Sequence, residues 1–343
     1  LKIDNLTISG GTRGIHVSGN SLLWADNVTV ENYTQRGISV TNSSVGWLGS
    51  VTVDGTKQSS SDERGIWFVN SDGYISGTTI VKGNSSSNGA INSSDNSRVW
   101  ISGTANLDSN KASLVVQNGG KMGMSSSTQT TITNSTEYGI KAYFGEIWNY
   151  GTITITDNSD GNNAVYIDRS KAYLKNMNVT GGTGSDNLFL VHESLFMIED
   201  STIKNHQGLL FNSNRSTVKF YRNNLIINEN TSAGCVVYFG DTDFLFEEGT
   251  EINGLNNSSC TAFNITRSRG EFFDITIKSK DSNAFYVVAS DLKIRGGSFS
   301  STNKKGIYVK EGSRLNIQSS SGDLSITSSG DDALEIRSSY VLL

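Results

Sequence analysis

The 343-residue chain contains no proline, only two cysteines and only three histidines. A proline inside a strand removes a hydrogen bond of the β-ladder, so its absence is compatible with β-structure along the whole chain. The histidines, His16, His192 and His206, lie far apart, and no spacing among them is typical of a zinc site. Two cysteines are too few to indicate a redox compartment.

Long apolar runs, basic runs and helical periodicity are also missing. No stretch approaches the roughly 18 apolar residues of a transmembrane helix, and nothing at the N-terminus is typical of a signal peptide. The net charge is −5 and the charges are scattered, so nucleic acid is a poor partner. Apolar residues make up 35% of the chain, as expected where each strand buries one face, and Ser, Thr, Asn and Gly fill the predicted turns and outer surface.

The sequence does contain one unit that recurs roughly every 24 residues. The unit begins Gly-apolar-x-apolar and continues with two more short apolar strands, each recognised by inward residues two positions apart. The pattern predicts an all-β solenoid with three short strands per coil and about 13–14 coils. Clear examples are Gly14-Ile15-His16-Val17, Gly37-Ile38-Ser39-Val40, Gly65-Ile66-Trp67-Phe68 and Gly306-Ile307-Tyr308-Val309.

This pattern resembles the right-handed parallel β-helix shared by pectate lyases, phage tailspikes and bacterial surface adhesins. The resemblance covers the whole chain and is architectural, so it implies a handedness and a frequent polysaccharide context rather than a reaction. We expect residues 1–343 to form a single β-helix domain. Because solenoids need polar caps and both ends lie inside repeats, we expect this domain to be a segment of a larger protein. The expected location is extracellular, on a cell surface or on a virion surface.

Large aromatic residues on the second strand of successive coils are the most informative feature for function. Each one stands beside an inward residue such as Ala25, Leu48 or Ile75, so the rings are predicted to point outward, one above another. Exposed aromatic rings are costly unless something covers them, and flat rings are suited to stacking on sugars. The predicted carbohydrate-binding residues are Trp24, Trp47, Tyr74, Trp100, Tyr173 and, with a less clear register, Trp148.

Two other interpretations of these aromatic residues remain open. If the register is wrong, the rings belong to the core, where tryptophan is often largely buried. If the register is right, the rings could contact another domain or subunit instead of a glycan.

A second apolar stripe is predicted at the outward positions of the first strand. Such a long stripe favours a side-by-side contact, either a homotrimer or a neighbouring domain, or else a broad face that adsorbs to an insoluble polymer. Lys141 interrupts the stripe and Glu335 ends it. Its predicted members are Trp67, Val115, Tyr166, Leu190, Leu210, Val236, Ala262, Tyr286 and Tyr308.

Catalysis has weaker support. Gly330-Asp331-Asp332 resembles the Gly-Asp-Asp element of polygalacturonases, but the matching place one coil earlier, Asn303-Lys304-Lys305-Gly306, has no carboxylate. We therefore predict no catalytic residue and interpret both aspartates as turn residues. Glu199-Asp200 and Glu247-Glu248 could approach each other across two coils as a calcium site, with solvated turns as the alternative; no cofactor is predicted.

Cys235 and Cys260 lie one coil apart, which fits either a disulfide or two semi-buried thiols.

The function predicted from the sequence is a non-catalytic, surface-exposed β-helix rod that binds polysaccharide or mediates adhesion. One alternative is a tailspike-like polysaccharide depolymerase, either a hydrolase or a lyase. The other is a purely structural fibre or stalk segment.

Overall fold

The computed structural model describes residues 1–56, 64–158, 163–182, 186–228, 235–254, 261–318 and 324–342, with side chains except at 157 and 158. The chain is a parallel β-solenoid of about 12 turns, and no helix occurs among these residues. The fold class predicted from the repeat is therefore confirmed. No helix that could cross a membrane is found in the described ranges. The chain divides into two compact units, Leu1–Asn178 and Val179–Leu343.

Strands β1 to β20 lie in the first unit, and β21 begins in it and ends in the second; they follow the sides of each coil in turn. Their bounds are β1 Lys2–Ser9, β2 Arg13–Val17, β3 Leu22–Glu31, β4 Arg36–Thr41, β5 Val45–Leu48, β6 Val51–Asp54, β7 Arg64–Val69, β8 Asp72–Ile75, β9 Thr78–Lys82, β10 Ile91–Ser94, β11 Arg98–Ile101, β12 Thr104–Asp108, β13 Ala112–Gln117, β14 Lys121–Met124, β15 Gln129–Thr133, β16 Tyr138–Tyr143, β17 Glu146–Asn149, β18 Thr152–Asn158, β19 Val165–Asp168, β20 Lys171–Lys175 and β21 Met177–Gly181.

The second unit contains strands β22 to β39 in the same order of sides. Their bounds are β22 Phe189–His192, β23 Leu195–Glu199, β24 Thr202–Lys204, β25 Phe211–Asn214, β26 Thr217–Tyr221, β27 Leu225–Ile227, β28 Val237–Gly240, β29 Asp243–Phe246, β30 Glu251–Gly254, β31 Phe263–Thr266, β32 Arg269–Ser279, β33 Phe285–Val288, β34 Asp291–Ser301, β35 Ile307–Lys310, β36 Arg314–Ile317, β37 Leu324–Ser328, β38 Leu334–Ile336 and β39 Tyr340–Leu342.

Strands stack in parallel on the equivalent strand of the next coil. In the first unit the first side of the coil is formed by β2, β4, β7, β10, β13, β16 and β19, paired in that order. The second and third sides join where β1 and β3 run around a corner without a break, and Asn5 and Asn27 turn that corner with φ angles of 53° and 49°. Asparagine tolerates this left-handed backbone better than most residues do, which explains why it recurs at the corners.

The cores of the two units differ in the side chains that fill them. Inward positions of the first unit are mainly aliphatic, as at Ile15, Val40 and Leu107, and are almost completely buried. The second unit instead stacks phenylalanines along its interior, where Phe220 and Phe246 lie face to face with their ring centres 4.3 Å apart. The fully buried members of this phenylalanine stack are Phe189, Phe196, Phe211, Phe220, Phe239, Phe246, Phe263, Phe272, Phe285 and Phe299.

A column of buried hydroxyl groups closes the corner between the first and second strands. In the second unit the backbone N–H of Ser268 donates to Oγ of Ser290 over 3.0 Å, and the N–H of Ser290 donates to Oγ of Ser313 over 3.2 Å. Each hydroxyl in turn donates to a nearby carbonyl, as Ser290 does to Val288 over 2.7 Å. These serines stand in turns, as the sequence predicted, but they are buried and do not belong to the outer surface. Buried corner N–H groups need partners, and these hydroxyls provide them.

Candidate functional site

The second strands of the first unit pair in register, and this places the predicted site residues in one column. The inward neighbours Ala25, Leu48 and Ile75 are buried, as the alternation predicted. We call the aromatic members of the column the aromatic strip. The column reads Trp24, Trp47, Tyr74, Trp100, Gly123, Trp148 and Tyr173.

The aromatic strip faces outward. The exposed fraction of its first four members, from Trp24 to Trp100, ranges from 37% at Tyr74 to 52% at Trp24, and Trp148 and Tyr173 are half-buried. The interpretation of these rings as core residues is therefore wrong. The two other interpretations, contact with a glycan and contact with another protein, remain open.

The rings at the two ends of this exposed segment have different orientations. Trp24 and Trp47 lie nearly parallel with ring centres 6.1 Å apart, and Trp47 and Tyr74 stack at 4.3 Å. Trp100 instead lies over Gly123, where an added Cβ would be only 2.2 Å from the Cζ3 atom of the indole. Gly123 thus gives Trp100 room to lean towards the next coil. The result is a flat three-ring platform followed by an indole that lies over Gly123 of the next coil.

A cleft of about 330 Å³ interrupts the aromatic strip. The rings of Tyr74, Trp100 and Trp148 line it, and Gly73, Val99 and Gly123 complete its apolar surface. Ligand-binding clefts start at about 300 Å³, so this one is large enough for a small ring. Sequence reasoning did not predict the cleft, which is lined by Gly123 and by the ring of Trp100 that lies over it.

Charged residues run beside the aromatic strip on the same outward face, two positions earlier in the second strands from β8 to β20, whereas Leu22 and Val45 hold this position beside Trp24 and Trp47. Arg98 Nε and Nη2 donate to the two carboxylate oxygens of Asp72 over 3.1 and 3.2 Å. Lys121 Nζ donates to Glu146 over 3.2 Å. We call this set the charged column, and in coil order it reads Asp72, Arg98, Lys121, Glu146 and Lys171.

Part of the predicted first-strand stripe is wrong, because three of its members take a different position in the coil. Phe211, Val237 and Phe263 pair in register as inward residues, so the residue before each stands at the buried corner. The outward positions of these coils belong to Asn212, Tyr238 and Asn264. The misplaced and fully buried residues are Leu210, Val236 and Ala262.

The remaining stripe is half-buried rather than open. Val115 is completely buried, since the turn at Gly89 packs on it: a Cβ at Gly89 would lie 2.5 Å from the Val115 Cγ2 atom. The guanidinium of Arg36 lies 3.7 Å from the ring centre of Trp67, and Tyr286 contacts Tyr308 with ring centres 5.3 Å apart. Tyr166, Leu190 and the other remaining members are likewise of intermediate exposure. The stripe is therefore narrower and more polar than predicted.

Three of the acidic residues considered for catalysis or calcium binding, Asp331, Glu199 and Asp200, are held by neighbouring side chains. Lys305 Nζ donates to Asp331 over 2.7 Å, and this contact holds the pKa of Asp331 below its usual value. An aspartate kept ionised in this way is poorly suited to be a general acid. Arg222 donates to Glu199, and Asn223 donates to Asp200 over 3.3 Å.

Cys235 is half-buried, and Cys260 lies outside the described residues, so their pairing stays a prediction.

No family model, curated protein or solved structure matches the chain.

Proposed function

We propose that the chain binds polysaccharide, without cleaving it, along the aromatic strip of its first unit. The observation that carries this proposal is the outward register of Trp24, Trp47, Tyr74 and Trp100 on consecutive coils. A pyranose ring has an apolar face that packs on an indole or a phenol, and hydroxyl groups that bond to polar side chains at its edge. Aromatic residues combine a large, rigid contact area with little loss of side-chain entropy.

The dimensions of the solenoid fit a chain-like ligand. Neighbouring coils lie about 4.8 Å apart, so the platform from Trp24 to Tyr74 offers a run of stacking surface in one direction. The cleft beside Tyr74 then receives one ring of the same polymer between Tyr74 and Trp100. Rigid β-ladders hold these contacts in place before the ligand arrives, which lowers the entropy lost on binding.

The charged column favours a glycan over a protein partner. The centre of a protein interface is usually depleted of charged residues. Here Asp72 and Lys121, whose residue types are depleted at such centres, line the same cleft as Tyr74, Trp100 and Trp148. Aromatic faces edged by long hydrogen-bonding side chains suit a ring that is apolar on its face and polar around its rim.

Affinity electrophoresis of the whole chain tests this proposal. We expect at least one of alginate, polygalacturonate, hyaluronan, dextran, pullulan and galactomannan, included in a native gel, to slow migration. Incubation with the same polymers should release no reducing ends and no unsaturated sugars. Free migration in every gel would contradict the proposal, while polymer cleavage would favour the depolymerase alternative.

A further inference from the structure

We infer that the cleft selects an acidic polysaccharide and pairs Arg98 and Lys121 with a uronate carboxylate on the sugar ring stacked between Tyr74 and Trp100. This inference rests on the proposed function and adds the class of glycan to it. It follows from the geometry of the charged column relative to the cleft.

Arg98 and Lys121 stand on two consecutive coils, at paired positions of β11 and β14, and both line the cleft. The carboxylate of Asp72 lines the cleft beside these two cations. The two cations are therefore on the rim of the same space that the rings of Tyr74 and Trp100 enclose. A substituent at the edge of a stacked sugar would meet them.

The cations extend further into solvent than the carboxylates that pair with them. The Arg98 side chain is 73% exposed and that of its partner Asp72 is 30% exposed. Lys121 is 46% exposed against 26% for Glu146. An approaching polymer thus meets the positive ends first, although the whole chain carries a net charge of −5.

Both cations keep hydrogen-bond donors for a ligand. A guanidinium has five N–H donors, and Arg98 uses one on Nε and one on Nη2 for Asp72. An ammonium has three, and Lys121 uses one for Glu146. Arginine matches a planar carboxylate with two parallel bonds, which favours a uronate as the ligand group.

The second unit supplies a matched control. Arg269 stands at the same position of its second strand, donates to Asp243 over 3.2 and 3.0 Å, and has a side chain that is 74% exposed. The outward position two residues later holds Glu271 rather than an aromatic ring. Arg269 therefore reproduces the ion pair of Arg98 without the aromatic strip.

The test compares polygalacturonate and alginate with their carboxyl-reduced forms, which keep the backbone and lose the charge. We expect the wild-type chain to bind the acidic form about tenfold or more tightly, with the preference shrinking as salt is added. The variant R98Q/K121Q should lose the preference and keep binding to the reduced polymer. R269Q should behave as wild type, and R98K/K121R should retain most of the preference.

The outcomes separate the two proposals. Equal binding of wild type to acidic and reduced polymers would overturn the selection of acidic glycans and leave the aromatic strip as a neutral sugar site. Wild-type binding to no polymer at all would overturn the proposed function itself. An unchanged preference in a folded R98Q/K121Q variant would also contradict the inference. If the double variant unfolds, the single variants R98Q and K121Q should each reduce the preference, and an unchanged preference in both would contradict the inference.

Discussion

Replacing Trp47 and Trp100 together by alanine is expected to abolish binding to every polysaccharide that the wild-type chain binds. Each ring is exposed and contributes a stacking surface, and truncating a central aromatic contact commonly costs about 2 kcal/mol of binding free energy. Loss of both rings would then raise the dissociation constant by about a thousandfold. The melting temperature should change by less than about 4 °C, because surface side chains contribute little to folding.

Phe144 and Tyr340 provide the control for this experiment. Both are exposed aromatic residues outside the aromatic strip, one in each unit. The double variant F144A/Y340A removes a similar amount of exposed ring and should bind as wild type. Unchanged binding in W47A/W100A would remove the proposed site, and equal losses in the two double variants would point to non-specific adsorption on exposed rings.

Replacing Phe246 by alanine is expected to lower the free energy of unfolding by about 3–5 kcal/mol. The Phe246 ring is completely buried and stacks on Phe220 at 4.3 Å and on Phe272 at 5.3 Å. Alanine would leave a cavity that two β-ladders prevent from collapsing. Urea unfolding, followed by circular dichroism of the whole chain, measures the loss through the shift of the midpoint.

Leu245 is the matched control, since it precedes Phe246 on the same strand and faces outward, half-buried. L245A should lower the free energy of unfolding by less than about 1.5 kcal/mol. Equal losses in L245A and F246A would contradict the register of β29, because a shift by one residue exchanges the two faces of a strand.

The register of the first unit could be predicted because its strands alternate cleanly. In the second strands the pattern of an inward residue, an aromatic residue and an inward residue, as in Leu23-Trp24-Ala25, fixes which side chains face the core. A fixed spacing to the third strand then aligns one coil with the next. The outward column from Trp24 to Tyr173 follows from these two rules, and the structure reproduces it.

The register of three coils in the second unit, those of Leu210, Val236 and Ala262, could not be fixed in this way. Leu209-Leu210-Phe211 and Cys235-Val236-Val237 are continuous apolar runs, and such runs do not show which residue faces inward. The glycines that precede them suggested a start two residues too early, which placed Leu210 and Val236 on the surface. In the structure Phe211 and Val237 are the first inward residues of their strands, and Leu210 and Val236 precede them at the buried corner.

The cleft and the buried serine column escaped prediction for different reasons. The cleft lies where the ring of Trp100 covers Gly123, and no sequence pattern specifies a side-chain rotamer. The serine column was within reach, since a serine recurs shortly after the first strand of many coils, as at Ser71, Ser194 and Ser268. Its burial follows from the corner N–H groups, which lie away from water and need a hydrogen-bond acceptor.

Oxidative footprinting with and without bound polysaccharide tests the central claim most directly. N-bromosuccinimide oxidises exposed indoles, and mass spectrometry of peptides reports the extent at each tryptophan. We predict that saturating polysaccharide protects Trp24, Trp47 and Trp100, and that the half-buried Trp67, on the first side of the coil, changes little. Full binding of the polymer with undiminished oxidation of Trp47 and Trp100 would contradict the account.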